Sequence, residues 1–83
     1  MSVGAERPNT QTIVEWLIER VAALVGVAPN ELDTAQPFAV FGLDSIAAVG
    51  LSGELEDWLG VELPATILWD YPTIAALAEH LAQ

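Results

Sequence analysis

The stretch VFGLDSIAAV, residues 40–49, sets a hydroxyl beside a carboxylate: Asp44 directly precedes Ser45. A serine there can be a helix cap, a nucleophile, or a handle for covalent modification. Capping is the structural reading, because serines are common in first turns, where the hydroxyl satisfies a free backbone N–H. Asp44 already fits that task, which leaves the Ser45 side chain without a structural duty. The nucleophile reading needs a base within hydrogen-bond reach and an oxyanion hole. The only histidine is His80, in the last turn of a C-terminal helix, where interaction with the helix end accounts for it. Gly42-Leu43-Asp44-Ser45-Ile46 also lacks the glycine spacing of a nucleophile elbow. Serine hydrolysis is therefore disfavoured.

Metal chemistry has equally little to work with. The chain has no cysteine and one histidine, so zinc has few ligands. Asp44, Glu54, Glu56 and Asp57 do not follow a calcium-binding loop, and no metal site is expected. Carboxylates in such numbers are by default a solvated face. Trp16, Trp58 and Trp69 fall at apolar or boundary helix positions, where core packing explains them better than a cofactor does.

Charge narrows the partners. Twelve acidic residues stand against two arginines, Arg7 and Arg20, with no lysine, for a formal net charge of −10. Such a surface repels phosphate backbones and anionic lipid, so neither nucleic acid nor a membrane is an expected partner. It attracts proteins with basic patches, and steering of that kind acts on encounter rate more than on affinity. No apolar run approaches the roughly 20 residues that cross a bilayer. The chain reads as soluble and cytoplasmic, and monomeric as an isolated domain. At 83 residues it is one domain with a small core, and 53% hydrophobic residues in periodic patterns argue against disorder.

Helices must position these groups. Residues 1–9 show no periodicity and read as a flexible lead or linker, leaving 10–83 as the domain. Thr12 and Glu15 fit a capping box for a helix of about 14 residues carrying Ile13, Leu17, Val21, Leu24 and Val25. Gly26 would stop it, with Val27 folding back as its apolar contact and Pro29 preventing continuation. Residues 26–43 lack helical periodicity, and so long a loop needs anchors. Leu32, Phe38, Val40 and Phe41 are the expected ones, with Gly42 turning the backbone into the next element. Asp44 then caps a second helix of roughly 16 residues that ends at Gly60. Its Ala48, Leu51, Leu55, Trp58 and Leu59 share one side. The opposite side carries Ile46, Val49, Gly50, Gly53 and Asp57, with Glu54 and Glu56 at its edges. Pro64 to Asp70 is expected to form one or two turns, and Pro72-Thr73 to start a last helix with Ile74, Leu77, Ala78 and Leu81 inward. The whole is an all-α four-helix bundle, three main helices and a short one, without a strand signal.

Gly42-Leu43-Asp44-Ser45-Ile46, the VELP at residues 61–64 and the YPTIAALAEHL at 71–81 together resemble an acyl carrier protein domain, most of all those of modular polyketide synthases. The similarity runs over about residues 12–82. The resemblance implies that Ser45 receives 4'-phosphopantetheine from coenzyme A through a phosphopantetheinyl transferase, with magnesium as that enzyme's own cofactor. It implies a non-catalytic carrier that holds acyl groups as thioesters and presents them to a ketosynthase, an acyltransferase or other loading and modifying enzymes of polyketide or fatty-acid biosynthesis. In this family the helix after the modified serine is the recognition helix. Asp44, Ile46, Val49, Glu54, Glu56 and Asp57 are the corresponding interface candidates, and exposed apolar groups ringed by acids suit a partner with a basic rim. Two departures stand out. Gly50 and Gly53 lie where relatives often carry larger or charged residues, and Leu51 lies where carriers of β-branching have tryptophan. Leu43-Asp44 before the serine favours an acyl over a peptidyl carrier, which usually has Gly-Gly ahead of the residue preceding serine. The alternative of a different class is an unmodified acidic helical adaptor that only docks a partner.

Overall fold

Four α-helices carry the chain: α1 (Thr10–Val25), α2 (Ser45–Leu59), α3 (Ile67–Asp70) and α4 (Ile74–Leu81). The computed structural model describes residues 8–83, and among them there is no strand, only an isolated bridge between Pro37 and Thr73. The expected all-α architecture, with three main helices and a short one, is the observed one. No helix among the described residues is long and apolar enough to cross a membrane.

The start of α1 departs from expectation. Asn9 is the cap, not Thr12: its Oδ1 accepts the Thr12 N–H at 2.8 Å, so the helix begins at Thr10 and runs for 16 residues. Asparagine ranks above threonine as a helix cap, in keeping with the earlier start. Glu15 instead accepts from Gln11 Nε2 one turn earlier, at 3.1 Å. Asn9 thus caps the first helix, while residues 1–7 of the expected lead lie outside the described residues. At the other end Gly26 adopts φ 79°, and the N–H groups of Gly26 and Val27 both turn back to the Ala22 carbonyl, at 2.9 and 3.1 Å. That left-handed step satisfies an orphan carbonyl and stops the helix.

The core is one cluster. Ile13, Leu17 and Val21 of α1 meet Ala48, Leu51 and Leu55 of α2, Ile67 and Leu68 of α3, and Ile74, Leu77, Ala78 and Leu81 of α4. The helices α1 and α4 pack most closely. Leu24, one residue before the end of α1, has the spacing of a core residue but is 48% exposed. Trp58 and Leu59 are half-buried at the edge. Ser52 sits inside at 4% exposure, its hydroxyl donating to the Val49 carbonyl at 2.6 Å. That internal bond removes the penalty of a buried donor.

The long connection after α1 is pinned, as its anchors require. Phe38 is fully buried, Leu32 and Phe41 pack against the core, and Leu43 is buried as well. Val40 corrects the expectation: at 64% exposure it anchors nothing. Backbone bonds complete the attachment. Phe38 N–H donates to the Pro72 carbonyl at 2.8 Å, and the Thr34 carbonyl accepts Ala75 N–H at 3.0 Å. The second bond satisfies a free donor in the first turn of α4, beside the Thr73 Oγ1 that caps Ala76 N–H at 3.0 Å.

Candidate functional site

Gly42 (φ 86°) closes the short turn Phe38–Phe41 and aims the chain at α2. Burying Leu43 then fixes the next two residues on the surface. Asp44 is the cap expected from the sequence: its Oδ1 accepts Ala47 N–H at 2.8 Å and its carbonyl accepts Ala48 N–H at 2.9 Å. Ser45 is the first helical residue, exposed, and its hydroxyl has no hydrogen-bond partner among the described residues. The carboxylate performs the capping, so the hydroxyl is released from it. No catalytic pair forms with His80, whose ring lies on Tyr71 with centroids 4.0 Å apart and planes 13° from parallel. This stack, rather than the helix end alone, accounts for the histidine.

The surroundings of Ser45 are apolar and open. Ile46 is 84% exposed and Val49 50% exposed, both on the outward stripe of α2. An isoleucine so placed buries little of its side chain against the fold. The positive end of the helix dipole falls at Ser45, so a phosphodiester joined to its oxygen would sit in a favourable field. The exposed, unengaged hydroxyl leaves a prosthetic chain free to depart into solvent, and these residues therefore fit a covalent phosphopantetheine.

The remaining acidic candidates divide. Asp57 is exposed and makes no hydrogen bond or ion pair among the described residues. Glu54 Oε1 pairs with Arg20 Nη1 of α1 at 3.3 Å. Glu56 Oε2 accepts Leu63 N–H at 2.7 Å, tying the connection after α2 back onto the helix. Charge count alone cannot separate these roles; each depends on what the bundle brings opposite. The structure likewise separates the tryptophans. Trp16 and Trp58 stack with centroids 4.8 Å apart, whereas Trp69 is 41% exposed and so lies outside the core packing expected of it. No group of three or more acidic or histidine side chains able to hold a metal ion occurs among the described residues.

Comparison with known proteins bears on this arrangement. The family model described as "Phosphopantetheine attachment site" matches residues 15–81. A phenolphthiocerol/phthiocerol polyketide synthase from Mycobacterium tuberculosis is 44% identical over 82 residues, covering 99% of this chain and 4% of that protein. Erythronolide synthase EryA3 of Saccharopolyspora erythraea is 38% identical over 80 residues, 95% of this chain and 2% of that protein. The chain thus spans only 2–4% of the length of these relatives. Among solved structures, a free-standing peptidyl carrier protein from Acinetobacter baumannii superposes with a TM-score of 0.84 at 45% identity, covering 88% of this chain and 91% of that one.

Proposed function

This chain belongs to the phosphopantetheine-attachment family, and on that premise we propose that Ser45 is the residue that carries the arm. Members of the family bear a covalently attached 4'-phosphopantetheine and serve as carriers without catalytic activity of their own. The observation that carries the assignment is the Ser45 hydroxyl, exposed and unengaged at the head of α2, while Asp44 does the capping. Ser45 Oγ attacks the pantetheine-side phosphorus of coenzyme A and the diphosphate bond breaks. The adenosine bisphosphate half leaves, and the hydroxyl proton passes to a base of the transferase. The chain supplies no base, and needs none. Once attached, the arm offers a terminal thiol that holds acyl groups as thioesters.

The chain's own residues contribute position and grip. Capping by Asp44 holds the first turn of α2 rigid, so the Ser45 oxygen leaves the surface in a fixed direction. Ile46 and Val49 give a phosphopantetheinyl transferase, a ketosynthase or an acyltransferase an apolar contact next to it. Asp44 supplies negative charge for a basic rim, whereas Asp57 lies more than three turns further along α2. Glu54 and Glu56 already hold intramolecular partners. The cargo is an acyl or polyketide intermediate, and the work is done in the cytoplasm as part of polyketide assembly or a closely related fatty-acid route.

Incubation with coenzyme A, magnesium and a broad-specificity transferase, followed by intact mass, tests the assignment. One phosphopantetheine adduct is expected, absent in Ser45→Ala. An adduct that persists in Ser45→Ala would move the site elsewhere; no adduct on the wild-type chain would favour the unmodified adaptor.

A further inference from the structure

At the far end of α2 from Ser45, the seam between α1 and α2 opens into a shallow groove of about 310 Å³ lined by Trp16, Arg20, Glu54, Asp57 and Trp58. We propose that this groove is a second protein-docking site, which receives an arginine side chain of a partner against the tryptophan pair and Asp57. The Trp16 and Trp58 rings lie 4° from parallel, and the Arg20 guanidinium sits 5.1 Å from the Trp16 centroid. The chain thus already seats one guanidinium on this aromatic wall, with Glu54 as its counter-charge at 3.3 Å. Two carboxylates face the groove and one cation answers them. Among the described residues no cation answers Asp57, which lies beside the half-buried ring of Trp58.

Arginine suits that position because its planar cation stacks on an indole while forking onto a carboxylate. Charge argues against other occupants. A second copy of this chain brings a net charge of −10, and its arginines are only Arg7 and Arg20. An acyl cargo on Ser45 is also poorly placed. Trp58 lies about 20 Å further along the helix axis and about 140° around it from Ser45. A partner held here leaves the serine uncovered, so the groove can retain the carrier near an enzyme while the modified end stays free to engage.

The test uses the whole chain, labelled with ¹⁵N, titrated at low salt with acetyl-Leu-Arg-Leu-amide and with its citrulline counterpart, which keeps the shape and loses the charge. Saturable shifts are expected at the indole N–H of Trp16 and Trp58 and not at Trp69, which does not line the groove. Apparent affinity should fall about fivefold for the citrulline peptide and by a similar factor in Asp57→Asn. Asp57 is exposed and has no hydrogen-bond or ion-pair partner among the described residues, so that variant should retain its structure. Ser45→Ala should bind as the wild type does, which keeps this result separate from the fate of the arm. Equal response to the citrulline peptide, unchanged affinity in Asp57→Asn, shifts of equal size at Trp69, or concentration-dependent dimerisation that fills the groove would each overturn the proposal.

Discussion

Glu56→Ala removes one acceptor, and its surroundings set the size of the effect. The Glu56 carboxylate receives Leu63 N–H at 2.7 Å in a partly buried turn. Leaving a buried N–H unpaired costs about 1–3 kcal/mol. Because Glu56 is only half-buried, water reaches part of the site, and the loss should be about 1–2 kcal/mol. Glu56→Gln keeps an amide oxygen for the same donor and forfeits only the ionic strengthening, below about 1 kcal/mol. Urea unfolding followed by tryptophan fluorescence reads both. With a slope of about 1 kcal/mol per molar for so small a domain, the midpoint should drop about 1–2 M in the alanine variant and less than about 1 M in the glutamine one. The slope itself should not change, and exchange of the Leu63 amide should quicken most in Glu56→Ala. If both variants keep the wild-type midpoint while transferase loading slows, the carboxylate acts on a partner, and the bond to Leu63 does not stabilise the fold.

Gly50 sits mid-helix facing open space, with nothing within 4 Å of an added Cβ and no left-handed backbone. Gly50→Ala should therefore raise stability by about 1 kcal/mol, or roughly 4–8 °C in Tm by calorimetry; an unchanged Tm would refute the reasoning. Phe38→Ala should cost about 3–5 kcal/mol, a large share of the roughly 4–12 kcal/mol expected for an 83-residue domain. A variant that still melts within about 1 kcal/mol of wild type would show that the long connection is not held through Phe38.

Local signals carry most of the architecture. Asp44, Gly60 and Thr73 punctuate helices through bonds that span three or four residues, so short-range pattern suffices to find them. The free Ser45 follows from the same logic, since one side chain is enough to cap the turn. What escapes depends on distant segments. Glu54 and Glu56 look alike in sequence, and only folding sets Arg20 opposite one and the Leu63 amide opposite the other. Val40 shares the hydrophobicity of its neighbours, yet the short turn directs Phe38 inward and leaves Val40 out. Ser52 is invisible as a core residue because its polarity is cancelled by its own helix. The α1 cap is hard to place for a subtler reason: Thr12 with Glu15 makes an acceptable local pattern, and the bond from Thr12 N–H to Asn9 Oδ1 moves the start three residues earlier.

The pairing of the first helix with the last has a consequence for biosynthesis. Ile13, Leu17 and Val21 find much of their cover on Ile74, Leu77, Ala78 and Leu81, which emerge from the ribosome only near the end of this segment. A nascent chain reaching no further than Gly60 offers the first helix only α2 to pack on and lacks the surface that α4 supplies. Attachment of the arm, if the transferase requires the assembled bundle, must then wait until translation has passed Leu81.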